Sequence, residues 1–357
     1  MNEPIRMTRA AAKKTKPRDA DLGFGTVFTD HMFVADFEEE KGWYDPRIEP
    51  YGPLALEPAA SVLHYAQAVF DGLKAFRGRD GRVRLFRAAK HVERLNRSAG
   101  RLCIPPLDPD LALRSILELV RLEQDWVPST VGTALYVRPT IIASEPFLGV
   151  RPAKSYIYFV ILSPVGAYYP EGMNPVKILV VDKYVRAVEG GVGAAKTGVN
   201  YAASLYAAEE AKHEGFTQVL WLDGRERKYI DEVGTMNIMV RIGDEVITPP
   251  LAGTILPGVT RDSVLTLLRE WGGYRVSERP LAIAEVLAAA ERGTLREVWG
   301  TGTAAVISPV GELAYQGRRI IVNEGRIGEL TQRLYDAIVA VQYGTAPDTH
   351  GWMVPVD

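Results

Sequence analysis

The sequence has almost no cysteine: Cys103 is the only one among its 357 residues. A single thiol excludes an intrachain disulfide and is typical of proteins kept in a reducing compartment. Long apolar runs are missing as well. The longest, such as 156–162, have the length of a strand and fall far short of the ~20 residues that a membrane-spanning helix needs. We therefore expect a cytoplasmic protein without a membrane partner.

A bias of charge is also absent. The 42 Lys and Arg residues nearly balance the 44 Asp and Glu residues, which leaves a net charge of −2. Such a chain has no field that would gather nucleic acid or an anionic membrane surface. The N-terminal segment is basic but has no apolar core, so it does not predict a secretory signal. We expect residues 1–20 to form a flexible tail, we expect no nucleic acid partner, and we identify no metal site.

The composition is that of an ordinary globular protein, with 47% hydrophobic and 24% charged residues. The length suffices for two domains of about 150 residues each. Strands and helices do not alternate regularly enough for one doubly wound sheet, so we expect two domains of the α+β or α/β class with the functional site between them. Proline and glycine crowd together at 163–172, which indicates a linker. The predicted boundaries are a tail at 1–20, a smaller domain at 21–165, an interdomain loop at 166–175 and a larger domain at 176–357.

Hydrophobic periodicity predicts the main elements. Apolar residues at helical spacing indicate a helix over 88–101, and an Asp-Pro pair at 108–109 indicates the start of another that runs towards 126. The other predicted helices are 201–213, 260–271, 283–290 and 330–343. The predicted strands are 83–86, 134–142, 156–162, 176–182, 218–222 and 238–242.

One lysine lies in an almost side-chain-free run just before a predicted helix. The run 190–198 reads GGVGAAKTG, with Lys196 near its end; Tyr201 follows, and Glu232 lies farther downstream. An amine, a phenol and a carboxylate are the groups that a pyridoxal phosphate enzyme needs for its Schiff base, its ring oxygen and its ring nitrogen. The sequence therefore predicts a pyridoxal phosphate site with Lys196 as the reacting amine.

The same run nearly matches two nucleotide-binding motifs. It almost spells G-x-x-x-x-G-K-[ST], and 219–223 could pass for a strand that ends in a magnesium-binding aspartate. Ala195, however, stands where that loop needs a glycine so that backbone N–H groups can wrap the phosphates. Lys196 stands where the dinucleotide motif needs its third small residue. A nucleotide hydrolase, which would turn over ATP and show no visible colour, is the alternative from another class.

Two further stretches offer donors to a phosphate dianion. After a Pro-Gly pair the chain enters a predicted helix, so the N–H groups of Val259 and Thr260 would point at an anion. A second loop of small residues, Gly-Thr-Gly-Thr-Ala-Ala, offers free amides and the hydroxyl of Thr303. Arg87, at the end of a predicted strand, supplies a positive charge. These groups together predict a phosphate site.

These motifs occur with runs that resemble a known family. FDGLKAF at 70–76, LYVRP at 135–139 and EPFLGV at 145–150 are similar to the branched-chain amino acid aminotransferases of fold type IV, and the likeness extends from about residue 24 to 356. The resemblance implies a two-domain fold type IV enzyme with pyridoxal 5′-phosphate in the site between the domains. It also implies a homodimer.

The resemblance assigns roles to individual residues. It implies that Lys196 carries the cofactor and is the catalytic residue, that Tyr201 meets the ring oxygen and that Glu232 holds the ring nitrogen. Arg138 would meet the distal carboxylate of glutamate or 2-oxoglutarate. The phosphate would be bound by Arg87, Val259, Thr260 and Thr303. The rest of the substrate pocket would consist of Phe24, Tyr65, Phe70, Tyr136, Tyr168, Thr235 and Ala304, with Leu148 and Val150 reaching in from the other subunit.

The implied activity is transfer of the amino group of L-leucine, L-isoleucine or L-valine to 2-oxoglutarate in ping-pong fashion. A D-amino acid aminotransferase and an aminodeoxychorismate lyase share the implied fold and are the nearest alternatives. The Glu-Val-Gly-Thr-Met-Asn run and the aromatic pocket favour branched-chain substrates. A non-catalytic binding protein of this fold would be expected to lose Lys196 or Glu232, and both are present.

Overall fold

The computed structural model describes residues 3–166 and 173–356. The chain divides into two compact units, each of which contains both strands and helices. This mixture agrees with the predicted α+β or α/β class. The first unit contains Met1–Tyr168, Ala195–Gly198 and Ala340–Asp357, and the second contains Tyr169–Ala194 and Val199–Val339.

The helices follow the predicted periodicity closely. Asp108 caps the third helix as its sequence predicts, because its side chain accepts the N–H of Asp110 at 3.0 Å and Pro109 occupies the first helical position. The helices are α1 Ser61–Tyr65, α2 Ala88–Arg101, α3 Pro109–Leu122, α4 Gly198–His213, α5 Val259–Trp271, α6 Ile283–Glu291 and α7 Glu329–Gln342. Short 3₁₀ turns lie at Asp19–Asp21, Gln124–Trp126 and Asn323–Gly325.

The strands form two mixed sheets, one in each unit. Those before the linker are β1 Arg6–Met7, β2 His31–Glu38, β3 Gly42–Pro50, β4 Ala68–Phe70, β5 Leu73–Arg77, β6 Val83–Phe86, β7 Ala134–Ala143 and β8 Ser155–Val165. Those after it are β9 Val176–Val181, β10 Gln218–Leu222, β11 Ile230–Val233, β12 Met236–Ile242, β13 Glu245–Thr248, β14 Arg275–Glu278, β15 Leu295–Gly302, β16 Val306–Tyr315, β17 Arg318–Ile321 and β18 Met353–Pro355.

The sheet of the first unit has the strand order β1-β3-β2-β8-β7-β5-β6-β18, and β4 also pairs with β7. All of its pairs are antiparallel except β1 with β3. Apolar side chains of α2 and α3 pack with those of the sheet in one buried cluster. This cluster fixes α2 beside β4, the two elements that hold the lysine segment described below.

The N-terminal segment is not the flexible tail that its composition predicts. β1 pairs in parallel with β3 at the edge of the first sheet. The N–H of Ala10 donates to Nε2 of His31 at 2.8 Å, and the N–H of Lys14 donates to the carboxylate of Asp30 at 2.7 Å. The basic composition predicted that this segment would be solvated. Instead, its extended backbone donates hydrogen bonds to the edge of the sheet and to neighbouring side chains.

The sheet of the second unit has the order β11-β10-β9-β16-β15-β12-β13-β14, with β17 on β16. β11 also pairs with β12, so the six strands β9, β10, β11, β12, β15 and β16 close into a ring. Parallel pairs (β9 with β10 and with β16) occur beside antiparallel ones, as expected of a chain that does not form a single doubly wound sheet. Helix α4 packs its Ala207 and Ala211 into a cluster with Val219 and Trp221 of β10.

The boundaries of the two units differ from the predicted domain boundaries. Residues 340–357 were predicted in the second domain, but they belong to the first unit, where β18 pairs with β6. With 195–198 included, the first unit, predicted to be the smaller, has more residues than the second. The predicted loop at 166–175 falls between β8 and β9, and its residues 167–172 lie outside the described residues. These differences arise because strands from distant segments pair with each other. Such pairing cannot be predicted from local hydrophobic periodicity.

Over the described ranges, no helix is both long and apolar enough to cross a membrane. The same residues contain no group of three or more His, Cys, Asp or Glu side chains placed to hold a metal ion. Cys103 is a free, exposed thiol.

Candidate functional site

Lys196 lies in a short segment that the first unit holds from two sides. Its backbone N–H donates to Oγ of Ser98 on α2 at 2.9 Å. Its carbonyl accepts the N–H of Phe70 on β4 at 3.0 Å. The next residue, Thr197, forms an antiparallel bridge with Val69. These contacts fix the backbone of the lysine between α2 and β4, just before α4 begins.

The amine of Lys196 has an apolar and partly cationic environment. Its Nζ lies 4.8 Å from the ring centroid of Phe70. Burial lowers the pKa of this amine to about 8, and the positive charge of Arg94 acts in the same direction, while Tyr136 and Asp71 act against it. The amine therefore titrates closer to neutral pH than an ordinary lysine, as a group that takes and returns protons should.

Four predicted pocket residues lie together in the same unit. The rings of Phe24 and Tyr136 meet edge to face at 5.2 Å. The guanidinium of Arg138 lies 4.7 Å from the Phe70 ring and donates to the Tyr136 hydroxyl at 3.2 Å. Nε of Arg138 is buried and has no hydrogen-bond partner among the described residues. The group is thus an aromatic wall with a cationic donor.

Gly72 makes room for this wall, a requirement that the sequence did not show. A Cβ on Gly72 would lie 1.8 Å from the hydroxyl oxygen and 2.5 Å from Cζ of Tyr136. Tyr136 is buried on β7, with only 8% of its surface exposed. Glycine at the junction of β4 and β5 therefore determines where the Tyr136 ring can lie.

Three other predicted pocket residues of this unit lie at its surface. Tyr65 is 41% exposed and its hydroxyl donates to the carbonyl of Leu148. Leu148 is 59% exposed and Val150 is 86% exposed in the single chain. Tyr168 lies outside the described residues.

Arg87 occupies the junction between β6 and α2. It has a left-handed backbone, with φ 53°, at the N-cap of the helix. Its N–H donates to the carbonyl of Trp352 at 2.6 Å, and its guanidinium lies 5.2 Å from the Trp352 ring. The C-terminal segment of the chain therefore fixes Arg87, which sequence reasoning could not show.

In the second unit, Glu232 is a buried acid with two hydrogen-bond donors on one oxygen and a guanidinium beside the other. Its Oε1 accepts from Nδ2 of Asn237 and from the N–H of Leu256, each at 3.1 Å. Its Oε2 lies 3.3 Å from Nε of Arg186, and both side chains are buried. The motif contains both Glu232 and Asn237 but assigned no role to Asn237, because an asparagine side chain has many alternative roles. It missed Arg186, which lies far from Glu232 in the sequence.

Asp231 beside it has a different environment. Burial raises the pKa of its carboxyl to about 6, although the charge of Arg186 opposes the shift. Its Oδ1 lies 3.5 Å from the hydroxyl of Thr254. Of the two neighbouring acids, Glu232 is therefore the one that has amide donors and a cation close to its oxygens.

Three further predicted residues of the second unit lie at one end of its ring of strands. Glu232 pairs with Asn237, and Asn237 pairs with Thr301. The turn between β11 and β12 therefore lies beside the turn between β15 and β16. These two turns carry Thr235, Thr303 and Ala304.

Helix α5 begins at the same end. Asn237 Nδ2 donates to the carbonyl of Leu256 at 2.9 Å, and a Cβ on Gly258 would lie 1.9 Å from Asn237 Oδ1. Gly258 is the N-cap and offers no side chain to the first N–H groups, those of Val259 and Thr260. Such a helix start binds anions.

The glycine-rich run before Lys196 serves packing inside the second unit. A Cβ on Gly193 would lie 2.3 Å from the carbonyl oxygen of Thr254. Nδ2 of Asn200 donates to the carbonyl of Val192 at 2.9 Å, which ties the run to α4. Tyr201, partly buried, lies in the first turn of that helix.

A family model described as amino-transferase class IV matches residues 68–313, which is more than half of the chain. The chain belongs to the class IV aminotransferases. It is similar to branched-chain-amino-acid aminotransferase 2 of Bacillus subtilis, at 54% identity over 99% of this chain and 97% of the relative. It is also similar to branched-chain-amino-acid transaminase 1 of the same organism, at 53% identity over the full length of both. The predicted enzyme class, a branched-chain amino acid aminotransferase, is confirmed.

Solved structures of branched-chain amino acid aminotransferases are also similar to this chain. The branched-chain amino acid aminotransferase of Escherichia coli matches with a TM-score of 0.77 and 27% identity over 92% of this chain and 99% of that one. A T.th. branched-chain amino acid aminotransferase solved with pyridoxamine 5′-phosphate matches with a TM-score of 0.74 and 25% identity over 90% of this chain and 98% of that one. The predicted fold type IV and the predicted cofactor class, pyridoxal 5′-phosphate, are confirmed.

This aminotransferase has the chemical groups that such a cofactor needs. The first unit offers a lysine amine whose pKa is lowered to about 8. The second offers the buried carboxylate of Glu232 and the open N-terminus of α5. A Cβ at Gly258 would displace Asn237. Glycine at this position therefore lets the Asn237 side chain link Glu232 to the start of α5.

Proposed function

We propose that this aminotransferase transfers the amino group of L-leucine, L-isoleucine or L-valine to 2-oxoglutarate by a ping-pong mechanism. The observation that carries the proposal is the position of Arg138 at the aromatic wall beside Lys196. The wall would contact a branched apolar side chain or the aliphatic part of glutamate, and the buried Nε of Arg138 would donate to the distal carboxylate of glutamate. Tyr65, Tyr168, Thr235 and Ala304 complete the proposed pocket.

Pyridoxal phosphate, when bound, supplies an aldehyde for attachment to an amine and a cationic ring that withdraws electrons from the substrate Cα. We assign the amine to Lys196, whose pKa of about 8 lets it take the Cα proton and return it. Glu232, held by Asn237 and by the N–H of Leu256, would offer a fixed carboxylate to the ring nitrogen. Tyr201, in the first turn of α4, would donate its phenol to the ring oxygen.

We assign phosphate binding to two kinds of group. The N–H groups of Val259 and Thr260 lie at the N-terminus of α5, where the helix dipole favours an anion. Thr303 adds a hydroxyl from the adjoining turn, and Arg87 adds the positive charge. The fixed backbone of Arg87 limits the entropy lost when it engages an anion.

We further propose that the enzyme is a cytoplasmic homodimer in which Leu148 and Val150 reach the partner's substrate pocket. Both are well exposed in the single chain, and the Tyr65 hydroxyl holds the loop through the carbonyl of Leu148. Adjacent exposed apolar side chains mark interaction surfaces more often than single ones do. Val150→Asp should weaken the dimer in sedimentation velocity, whereas Val131→Asp, at a singly exposed valine, should not.

The test of the mechanism uses one substrate at a time. With L-leucine alone, we expect about one equivalent of 4-methyl-2-oxopentanoate per active site in a quenched reaction, because a ping-pong enzyme releases its first product before the acceptor binds. Adding 2-oxoglutarate after the leucine has been removed should then release one equivalent of glutamate. If the 2-oxo acid appears only when both substrates are present, the ping-pong proposal is wrong; conversion of D-leucine but not L-leucine would favour the D-amino acid aminotransferase.

Arg138→Met separates the two half-reactions. The half-reaction with leucine should proceed, whereas KM for 2-oxoglutarate should rise by at least about tenfold, because a charge-assisted bond of ~1.5–3 kcal/mol is lost. An equal loss for both substrates would argue against a role of Arg138 in carboxylate recognition.

A further inference from the structure

Three buried polar residues beside Lys196 have no part in the proposed chemistry. Asp71 is fully buried, His91 is 2% exposed and Arg94 is 5% exposed. Groups of this kind are seldom buried unless they are paired. Their position next to a reacting amine calls for a physical reason.

The three residues satisfy each other through short hydrogen bonds. Arg94 donates from Nε to Oδ2 of Asp71 at 2.9 Å and from Nη2 to Oδ1 at 2.8 Å, so the pair is bidentate. Nδ1 of His91 lies 2.7 Å from the same Oδ1. Burial by itself would raise the pKa of Asp71, but Arg94 and His91 outweigh it and hold the pKa far below its usual range. Burial lowers the pKa of His91, so a neutral ring donates to an ionised carboxylate.

The cluster connects the elements that hold Lys196. His91, Arg94 and Ser98 lie at i, i+3 and i+7 on one face of α2. Ser98 accepts the backbone N–H of Lys196. Asp71 lies between Phe70, which donates to the Lys196 carbonyl, and Gly72, which gives room to the Tyr136 ring. The Asp71–Arg94 fork thus joins α2 to the β4–β5 junction on the lysine's two sides.

We propose that Asp71, His91 and Arg94 are positioning residues that hold the Lys196 segment against the aromatic wall, and that the opposite charges of Asp71 and Arg94 balance each other at the Lys196 amine. This inference rests on the proposed role of Lys196 as the reacting amine. It adds to that role a pair of charges whose opposite effects on the amine offset each other.

Because Asp71 and Arg94 carry opposite charges, their effects on the Lys196 amine can be tested separately. The charged and titratable groups that act on Lys196 are Arg94 and His91 from α2, Asp71 from the β4–β5 junction, and Tyr136 and Arg138 from β7. Of these, Arg94 favours the neutral amine and Asp71 favours the ammonium form. Removing one charge should therefore move the titration of Lys196 in one direction, and removing the other should move it back.

The experiment measures the titration of the Lys196 amine directly. The full-length chain, freed of cofactor, is labelled with trace acetic anhydride across a pH series, and the extent of labelling of the Lys196 peptide is read by mass spectrometry. The same variants with cofactor are titrated by visible absorption. Arg94→Met should raise the pKa of Lys196 by about one unit, the scale of a nearby charge.

Introducing Asp71→Asn into the Arg94→Met background should lower the pKa again, towards the wild-type value. This double variant avoids a buried, unpaired cation, so it folds even if Asp71→Asn alone does not. Arg97→Met is the matched control, because Arg97 lies on the same helix, is exposed and pairs with Glu93. It should leave the pKa unchanged.

Two outcomes would overturn the inference: folded variants that leave the Lys196 pKa within about 0.2 units of wild type, or shifts of the same sign for both substitutions. Arg94→Lys keeps the charge but not the fork; it should preserve the pKa and lower kcat. Because the labelling needs neither substrate nor turnover, a failure of the proposed transamination would be seen separately.

Discussion

The substitution Gly72→Ala tests the aromatic wall most sharply. The added Cβ would lie 1.8 Å from the Tyr136 hydroxyl oxygen, whereas ordinary contacts begin beyond 3 Å. The tyrosine ring must therefore move by more than about 1 Å, since a Cβ on the backbone cannot retreat as a long side chain can. Tyr136 is buried, packs edge to face on Phe24 and accepts a hydrogen bond from Arg138, so its movement disturbs all three side chains.

Two measurable effects follow. Overpacking of a buried site should lower the free energy of unfolding by about 1–3 kcal/mol. The displaced hydroxyl should also release Arg138, so kcat/KM should fall for 2-oxoglutarate more than for leucine. Tyr136→Phe in the Gly72→Ala background removes the nearest atom but leaves Cζ, which would lie 2.5 Å from the new Cβ, so the rescue should be partial.

Gly100→Ala is the control for these measurements. Gly100 lies in α2 of the same unit, and a Cβ there would meet nothing within 4 Å. This substitution should leave kcat/KM unchanged and raise stability by several tenths of a kcal/mol up to about 1 kcal/mol, because alanine favours the helix. If thermal unfolding and kinetics of Gly72→Ala matched those of Gly100→Ala, the argument that glycine positions Tyr136 would be refuted.

Three further predictions concern the second unit. Glu232→Gln should destabilise the chain by about 3–5 kcal/mol in urea unfolding, because the buried Arg186 loses its charged partner; unchanged kcat would exclude Glu232 as the partner of the ring nitrogen. The raised pKa of Asp231, about 6, means that the folded state binds its proton more tightly than the unfolded state, so this carboxyl's contribution to stability is lost as pH rises from about 4 to 6. Asp231→Asn should therefore gain stability relative to wild type over that window, and a constant difference between pH 4 and 7 would contradict the raised pKa. Gly258→Ala should weaken pyridoxal phosphate binding about tenfold in a spectral titration, since its Cβ would displace Asn237 at a cost of ~1–3 kcal/mol; equal affinity would argue against a phosphate site at α5.

Local patterns predicted local structure well. Helix α2 has the predicted bounds, 88–101, because its apolar residues follow the helical repeat, and α3 begins at its Asp-Pro signal. Short motifs also identified Lys196 and Glu232 as candidate site residues. The structure adds that burial lowers the pKa of Lys196 and that Glu232 lies 3.3 Å from Arg186.

Contacts between distant segments could not be predicted from one sequence. Asp71 and Arg94 are 23 residues apart, and the FDGLKAF run that contains Asp71 assigned no role to it. The requirement for glycine at position 72 depends on a ring that belongs to another strand. The pairing of β18 with β6, which brings residues 340–357 into the first unit, is likewise a long-range contact. In each case the cause is tertiary packing, which local propensity does not record.

The identity of the cofactor-bearing lysine is the central claim, and the structure supplies a competitor. Burial lowers the pKa of Lys74 to about 8 as well, so a low pKa alone does not single out Lys196. The most direct measurement is borohydride reduction of the full-length enzyme with its cofactor, followed by proteolysis and mass spectrometry. The account predicts the mass of reduced pyridoxal phosphate on the Lys196 peptide, and its loss when L-leucine is added before reduction. The same mass on the Lys74 peptide, or on Lys196 regardless of leucine, would contradict it.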